Sequence, residues 1–459
     1  MGEDENNEGF LLMILNSIRK NWKPILFLAI FVSSLLYFLP ARKNIPFFGD
    51  ESQWIFSSKY LEAWKTLPET NFSWDENYWT LTQPPIARYI IGIARRTAGF
   101  EVADLNNPWN FDSPYSVNIY RHNRPSLSLL FSSRFPMAIF ASFIGTILFI
   151  ILFESVGFIT ASFFLFFYIN SEYISTHLLR AMGESPLMFF VLITIIFSYL
   201  SVKKLKMLIS QHQASDKSYY YLVFAAALSC GLAGASKING LMLLPVIIFI
   251  PFLELLLYGN AISMKKKVKI IIITTIIVTI TSLTVFVLVN PFLYKDPIGH
   301  MLLIYQNRVN EMTEQAISNP ICYLGTPRVR FTFLIYQFMS VFEQFNYISD
   351  NFLSIPFVTF TFLLLFWGLF NLIRIFIKDY RSGKLLSFVF VLILSFLPLM
   401  VAAYMSPLNY QRYYLFCVIV YYLLVSSGLE YNIQVLWKLG KQLASKYSLE
   451  KSKTDIKSK

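Results

Sequence analysis

Residues 270–291 read IIIITTIIVTITSLTVFVLVNP, an unbroken stretch of 22 residues without a charged side chain. As a helix it would be about 33 Å long, which matches the hydrocarbon core of a bilayer. Similar runs recur along the chain, which is 55% hydrophobic and only 14% charged. Soluble domains carry about 25% charged residues. The sequence therefore predicts an all-α integral membrane protein and excludes a soluble enzyme, a fibrous protein and a disordered chain.

Basic residues are concentrated on one side of the predicted bundle. With a cytoplasmic N-terminus, 22 of the 39 Lys and Arg residues and 11 of the 27 acidic residues fall in the inner part. This bias follows the positive-inside rule, so the net charge of +12 orients the chain and does not indicate a nucleic-acid partner. The ten predicted spans are 23–40, 129–153, 157–170, 184–201, 219–235, 238–258, 270–291, 351–373, 385–404 and 413–437.

The predicted organisation is a cytoplasmic tail (1–23), a transmembrane domain (24–437) and a basic cytoplasmic tail (438–459). The first apolar run follows an acidic tail and lacks a small-residue cleavage site, so we expect an anchored first helix. Two outer segments, 41–128 and 292–350, are far longer than connecting turns, and such loops are usually functional. We therefore expect chemistry at the periplasmic or external face of a multi-pass plasma-membrane protein.

The first acidic pair after the first predicted span is Asp50-Glu51. Adjacent residues do not face each other on a helix, so the two carboxylates are expected to have different partners. One carboxylate placed over the membrane rim could act as a general base for an incoming hydroxyl. The alternative is a helix N-cap with an acidic first turn, because Asp is a favoured cap and Glu suits that turn.

An amphipathic helix is predicted directly after Gln83-Pro84-Pro85, because Pro suits the first turn of a helix. Isoleucines at 86, 90 and 93 would share one face, while Arg88 and Arg95 would share another. This pattern predicts a short helix in the headgroup layer. The alternative is an ordinary surface helix with solvated arginines.

Other ionisable residues lie at the outer membrane boundary, where such groups are costly and by default mark a site. Lys237 interrupts an apolar sequence at a predicted tight turn, where it could approach a phosphate or simply snorkel to the interface. Arg412 is similarly placed at the outer end of the last span. The segment 171–186 contributes four more ionisable residues, and the histidines lack metal-ligand spacing.

These segments together resemble the GT-C superfamily of membrane glycosyltransferases that use polyprenyl-phosphate sugars. The likeness is strongest to the branch with protein O-mannosyltransferases and the lipid A aminoarabinose transferase, and it runs in order over roughly 45–415. Gln83 stands where the family often has His or Lys. No lectin-like insert is found in the second long loop, and a large soluble C-terminal domain is not expected. The segments that resemble family motifs are Asp50-Glu51, Gln83–Arg88, Leu179–Glu184, Ser236–Leu241, Asn290–Pro297 and Gln411–Tyr414.

The resemblance implies a GT-C-like bundle of about 10–12 transmembrane helices, roofed by extracytoplasmic loops and interfacial helices. It implies inverting transfer of a sugar from a polyprenyl-phosphate donor to a hydroxyl of a protein, lipid or glycan acceptor. No cofactor is predicted with certainty, and a divalent metal stays open. The implied site residues are Asp50 and Glu51 (catalytic), Lys237, Arg88 and Arg412 (donor phosphate), and Glu184, Arg180 and His177 (supporting or acceptor-positioning).

Two other classes of function share part of this pattern. A transporter or flippase for lipid-linked sugars would also carry outer cations, but it should show broken helices or paired half-repeats and charges near mid-membrane. The sequence shows neither feature. A non-catalytic membrane scaffold would not need Asp50, Lys237 and Arg412 to converge on one cavity. Convergence of these three residues therefore discriminates the enzyme from the scaffold.

Overall fold

The computed structural model describes residues 4–65, 78–211, 216–259, 262–340, 354–381 and 387–457. Within these ranges the chain is helical, and the β-structure consists of one isolated bridge between Tyr323 and Leu408. The α-helices are α1 (Asp4–Asn44), α2 (Gly49–Phe56), α3 (Tyr60–Lys65), α4 (Tyr78–Thr82), α5 (Ile86–Thr97), α6 (Tyr115–Tyr120), α7 (Leu127–Ser155), α8 (Phe158–Asn170), α9 (Glu172–Leu179), α10 (Glu184–Ser210), α11 (Lys217–Ser236), α12 (Leu244–Tyr258), α13 (Met264–Leu288), α14 (Pro297–Ser318), α15 (Pro327–Ser340), α16 (Ser354–Arg381), α17 (Phe388–Met405) and α18 (Leu415–Lys457).

Nine segments in the described part of the chain are long and apolar enough to cross a membrane. They match nine of the ten predicted spans; residues 351–353 and 385–386 of two predicted spans lie outside the described ranges. The tenth, α8, is apolar but has 13 residues, about 20 Å of helix, so it is shorter than a bilayer core. It packs against α7 and α18. The predicted all-α membrane bundle is confirmed.

The pair α16 and α18 packs closely because each helix presents a glycine to the other. A Cβ atom on Gly368 would lie 1.8 Å from the carbonyl oxygen of Leu424, and one on Gly428 would lie 2.0 Å from that of Leu364. Small residues let membrane helices approach backbone to backbone, where van der Waals packing stabilises the contact. Gly368 and Gly428 therefore hold α16 against α18 beyond the first turns of that helix.

Short helices at one end of the bundle cover the ends of the spans. The N–H of Gly299 donates to the Asp296 carboxylate, 2.9 Å away, and thereby caps α14, whose first residue is a proline. The helix α5 begins directly after Pro85, as predicted, and contacts α2, α3 and α7. The helix α14 contacts α4. These covering helices meet the turns before α10, after α11 and before α18, and the candidate site lies there.

The orientation of α5 corrects one sequence-based alternative. Arg88 and Arg95 are 1% and 0% exposed, whereas Ile93 is 56% exposed, so the arginine face points inward. Arg95 donates to Glu62 Oε2 at 2.6 Å and to Ser58 Oγ at 2.8 Å. A surface helix with solvated arginines is therefore wrong. On the isoleucine face Ile93 is exposed, while Ile86 and Ile90 are partly buried, so the prediction of a helix in the headgroup layer stays a prediction.

Candidate active site

The start of α2 separates two adjacent carboxylates, Asp50 and Glu51. Glu51 is fully buried, while the Asp50 side chain is 18% exposed. The backbone N–H of Phe48 donates to Glu51 Oε2 at 3.2 Å, so part of the predicted N-cap alternative is realised by Glu51. Asp50 instead points away and pairs with Arg412. The prediction that the two carboxylates have different partners is confirmed.

Glu51 forms a two-point ion pair with Arg134 of α7. The Nε atom of Arg134 donates to Glu51 Oε1 at 2.7 Å, and Nη2 donates to Oε2 at 2.6 Å. Arg134 Nη1 also donates to the carbonyl oxygens of Arg42 and Ile45, and the N–H of Ala181 donates to Glu51 Oε1 at 2.9 Å. This pair ties α2 to α7, to the end of α1 and to the segment before α10. It does not line the cavity described below, so the structure gives Glu51 no direct access to a substrate.

Arg412 lies between two carboxylates, Asp50 of α2 and Glu184 of α10. It donates to Asp50 Oδ2, and its Nε atom is 4.0 Å from Glu184 Oε1. Lys237 Nζ donates to the same Glu184 oxygen at 2.6 Å. Four charged groups of alternating sign therefore form one chain, Asp50–Arg412–Glu184–Lys237, which we call the charge tetrad. Its formal charges sum to zero.

The turn that carries Lys237 depends on a glycine. A Cβ on Gly240 would lie 2.3 Å from the carbonyl carbon of Ala233, so the chain folds back tightly against the end of α11. This turn directs Lys237 inward to Glu184, and the lysine side chain is only 17% exposed. Lys237 thus lines the site instead of snorkelling.

A cavity of about 570 Å³ opens beside the tetrad. Three tetrad members, Asp50, Lys237 and Arg412, line its wall, while Glu184 lies behind them in a small adjoining space of about 50 Å³. Aromatic rings from the first long loop and from the turn before α18 complete the wall, namely Phe48, Trp54, Phe111 and Tyr410. Such a mixture of apolar rings and a few converging polar groups is typical of a ligand site.

Arg88 reaches the cavity wall, but most of its hydrogen-bonding capacity is already used. Its Nε atom donates to Ser57 Oγ at 2.8 Å, and Nη1 donates to the carbonyl oxygens of Gln83 and Pro84 at 2.7 and 3.2 Å. Burial lowers the pKa of Arg88 to about 10, with Tyr60 acting in the opposite direction. Arg88 therefore holds the 83–84 backbone in place, and its predicted contact with a phosphate would fall to the Nη2 group.

Arg180 and His177 lie outside the cavity wall. The Arg180 guanidinium covers the ring of Phe48 at 4.5 Å, and burial lowers the pKa of Arg180. His177 packs edge-on against Tyr173, with the ring centroids 4.7 Å apart. Burial, followed by the nearby Arg180 charge, lowers the pKa of His177 to about 3. Neither residue lines the cavity, and their supporting roles stay predictions.

Three charged residues of the wall, Asp112, Arg308 and Glu311, were not among the sequence-predicted site residues. Arg308 and Glu311 of α14 form an ion pair one helical turn apart, and Arg308 Nη2 donates to the Tyr413 hydroxyl at 2.7 Å. The same helix also carries exposed apolar residues, such as Leu302, which is 53% exposed. Among the described residues, no three His, Cys, Asp or Glu side chains are grouped so that they could hold a metal ion.

Comparisons with known proteins agree with this architecture. The family model described as dolichyl-phosphate-mannose-protein mannosyltransferase matches residues 68–294, just under half of the chain. Among curated proteins there is no significant match. The oligosaccharyltransferase of Archaeoglobus fulgidus, in its apo form, is similar in structure with a TM-score of 0.50 and 12% identity. That alignment covers 93% of this chain and 52% of the archaeal one.

Two further solved structures are similar over 34% and 60% of their own length. The S. cerevisiae protein O-mannosyltransferase complex bound to the sugar donor has a TM-score of 0.42 and 13% identity, with 59% of this chain and 34% of that chain covered. ArnT from Cupriavidus metallidurans, bound to undecaprenyl phosphate, has a TM-score of 0.46 and 11% identity, with 89% and 60% covered. The chain thus spans roughly a third to three fifths of the structures it matches. The resemblance to GT-C glycosyltransferases predicted from the motifs is confirmed.

Proposed function

We propose that this chain, which shares the GT-C glycosyltransferase fold, transfers a sugar from a polyprenyl-phosphate donor to an acceptor hydroxyl. The reaction would take place at the extracytoplasmic face and would invert the configuration of the sugar. The acceptor class is a protein Ser or Thr, a lipid or a glycan. The observation that carries the proposal is the convergence of Asp50, Lys237 and Arg412 on one cavity.

Asp50 is the proposed general base. It is the carboxylate of the tetrad that lines the cavity with its side chain partly exposed, and it lies beside the end of the first span. An acceptor hydroxyl entering the cavity could donate its proton to Asp50 while its oxygen attacks the anomeric carbon of the sugar. The bond from that carbon to the phosphate oxygen breaks, and the lipid phosphate leaves. A single carboxylate suffices, because phosphate leaves as a stable anion without protonation.

Arg412 and Lys237 are the proposed phosphate-binding residues. Negative charge increases on the phosphate as the sugar departs, so a fixed cation stabilises the transition state more than the bound donor. Asp50 loses its own charge at the same moment, because it accepts the proton of the acceptor. The Arg412 guanidinium, which lies between Asp50 and Glu184 before the reaction, is then left with Glu184 and the phosphate as its anions. One residue thereby couples proton uptake to departure of the phosphate.

Glu51 and Arg134 hold Asp50 in place within this scheme. Their buried pair fixes the first turn of α2 against α7 through bonds of 2.6 and 2.7 Å, and Asp50 is the residue directly before Glu51. We therefore assign Glu51 a positioning role in place of the catalytic role that the sequence predicts. Glu184 keeps Lys237 and Arg412 oriented toward the cavity.

Replacing the proposed base tests the function directly. The purified protein in liposomes is supplied with a polyprenyl-phosphate sugar and an acceptor peptide or lipid, and release of polyprenyl phosphate is measured. Asp50→Asn keeps the size of the side chain but removes the proton acceptor, so turnover should fall about 100-fold or more. Glu314→Gln, an exposed carboxylate on α14, is the matched control and should keep wild-type turnover. Near-normal turnover by Asp50→Asn would remove the assignment.

A further inference from the structure

A second cavity, of about 420 Å³, lies where the end of α7 meets α16 and α18. Its α18 residues include Gln434, which is nineteen residues beyond the start of that helix at Leu415. At 1.5 Å per residue this separation is about 28 Å, close to the thickness of a bilayer core. The cavity is therefore at the membrane surface opposite the active-site cavity, on the predicted cytoplasmic side.

Both carboxylate oxygens of Glu430, the acidic residue that lines this cavity, accept hydrogen bonds from within the protein. Its Oε2 atom accepts hydrogen bonds from the Thr160 backbone N–H at 3.0 Å and from the Thr160 hydroxyl at 2.5 Å. Its Oε1 atom accepts one from Gln434 Nε2 at 2.9 Å. Gly157, with φ +151°, brings the backbone so close that a Cβ there would lie 2.9 Å from Glu430 Oε1. Glu430 thus caps the first turn of α8 and is not directed at the basic side chains nearby.

Three cations line the same cavity: Arg374 and Lys378 of α16, and Lys438 of α18. Arg374 donates to Asn371 Oδ1 at 2.9 Å and lies over the ring of Tyr431. Within the described residues none of the three forms an ion pair with a carboxylate. The cavity therefore presents excess positive charge and selects an anionic ligand.

Apolar residues on the same helical turns indicate that this ligand is a lipid. Ile373 and Ile377 alternate with the α16 cations and are 48% and 42% exposed. Leu436 and Trp437 precede Lys438 and are 66% and 67% exposed, and tryptophan is enriched at the level of the headgroups. A free phosphate ion would contact the cations alone. A phospholipid would contact the cations with its headgroup in the cavity and the exposed apolar residues with its acyl chains along α16 and α18.

We propose that this cavity binds the headgroup of an anionic phospholipid from the predicted cytoplasmic leaflet, with Arg374, Lys378 and Lys438 contacting its phosphate. Basic pockets between membrane helices on the cytoplasmic side recognise phosphate headgroups in this way. The bound lipid would brace α16 against α18 at the end remote from the active site. This assignment is independent of the proposed sugar transfer.

Native mass spectrometry of the full-length protein in a non-ionic detergent tests the site. The protein is titrated with phosphatidylglycerol and with phosphatidylcholine of the same acyl chains, and separately with inorganic phosphate as a competitor. Wild type should prefer phosphatidylglycerol. Lys378→Gln combined with Lys438→Gln should weaken phosphatidylglycerol binding by about 25-fold, roughly fivefold for each cation removed.

The matched control is Lys265→Gln combined with Lys266→Gln, which removes two exposed lysines on the same predicted side but outside the cavity. The control should bind phosphatidylglycerol like the wild type. Equal losses in both double variants, or no loss in the cavity variant, would overturn the proposal. Displacement of the lipid by equimolar inorganic phosphate would instead assign the site to a free anion. Unfolding midpoints without added lipid should be equal, because the replaced lysines are exposed.

Discussion

The neighbouring acids Asp50 and Glu51 form two ion pairs of the same chemistry in opposite surroundings. In the Glu51–Arg134 pair both side chains are 0% exposed and the remaining donors are bonded to backbone. In the Asp50–Arg412 pair the side chains are 18% and 17% exposed and border a cavity. A fully enclosed pair can hold structure but cannot meet a substrate, whereas a pair on a cavity wall can exchange partners. Location, and not residue type, separates the two roles.

Breaking the buried Glu51–Arg134 pair should give the largest loss of stability. Glu51→Gln leaves the Arg134 charge enclosed without a carboxylate, which should reduce the free energy of unfolding by about 3–5 kcal/mol. Chemical unfolding in detergent measures the loss, and Glu314→Gln on the exposed face of α14 serves as the control. Adding Arg134→Met to Glu51→Gln should recover part of the stability, because neither charge is then buried. Wild-type stability in Glu51→Gln would show that the pair is not structural.

Removing one cation of the tetrad should affect turnover more than stability. Lys237→Met should lower sugar transfer by about 100-fold and weaken donor binding, since the cation matters most as the phosphate gains charge. In this variant Glu184 still has a cationic neighbour, because Arg412 Nε lies 4.0 Å from Glu184 Oε1. The unfolding free energy of Lys237→Met should therefore fall by less than that of Glu51→Gln. Lys43→Met, an exposed lysine at the end of α1, is the control. Unchanged turnover and donor affinity would show that Lys237 only pairs with Glu184 and does not act on the donor phosphate.

Acid should act through a third buried group, His177. Its pKa is about 3 in the folded protein, mainly through burial, against an ordinary value near 6.5. The unfolded chain therefore binds a proton that the folded chain does not, and stability should fall as the pH drops from 6.5 toward 3. The expected slope is about 1 kcal/mol per pH unit.

Unfolding measured at pH 7.5 and pH 5 checks this dependence. His177→Gln should flatten the slope between the two values, while His122→Asn, which replaces an exposed histidine, should keep it. Equal slopes in wild type and His177→Gln would place the acid sensitivity in another group.

Much of the membrane architecture and of the site was predictable from the sequence. Apolar runs without charge, such as 270–291, dictate spans because the backbone must satisfy its hydrogen bonds internally in lipid. Asp50, Lys237 and Arg412 stood out because charges at the membrane boundary are costly and therefore rare. The same reasoning marks Arg134, a lone charge within an apolar run, as a candidate residue, although its partner Glu51 is known only from the structure.

Other features depend on contacts that sequence periodicity does not contain. The face of α5 that points inward is set by Ser57, Ser58 and Glu62, which bond the arginines from another segment. Periodicity identifies two faces but does not say which one is buried when both can find partners. Arg308 of α14 was missed for a similar reason, because its site partner Tyr413 is 105 residues away.

The most direct test of the account is cryo-electron microscopy of the full-length protein with a bound polyprenyl phosphate. The account predicts that the phosphate lies in the cavity within hydrogen-bond distance of Lys237 Nζ and the Arg412 guanidinium, with Asp50 facing the position of the sugar. The Glu51–Arg134 pair should keep the distances of 2.6 and 2.7 Å that it has here. A phosphate bound elsewhere, with the Asp50–Arg412 pair closed off from it, would contradict the assignment of this cavity as the active site.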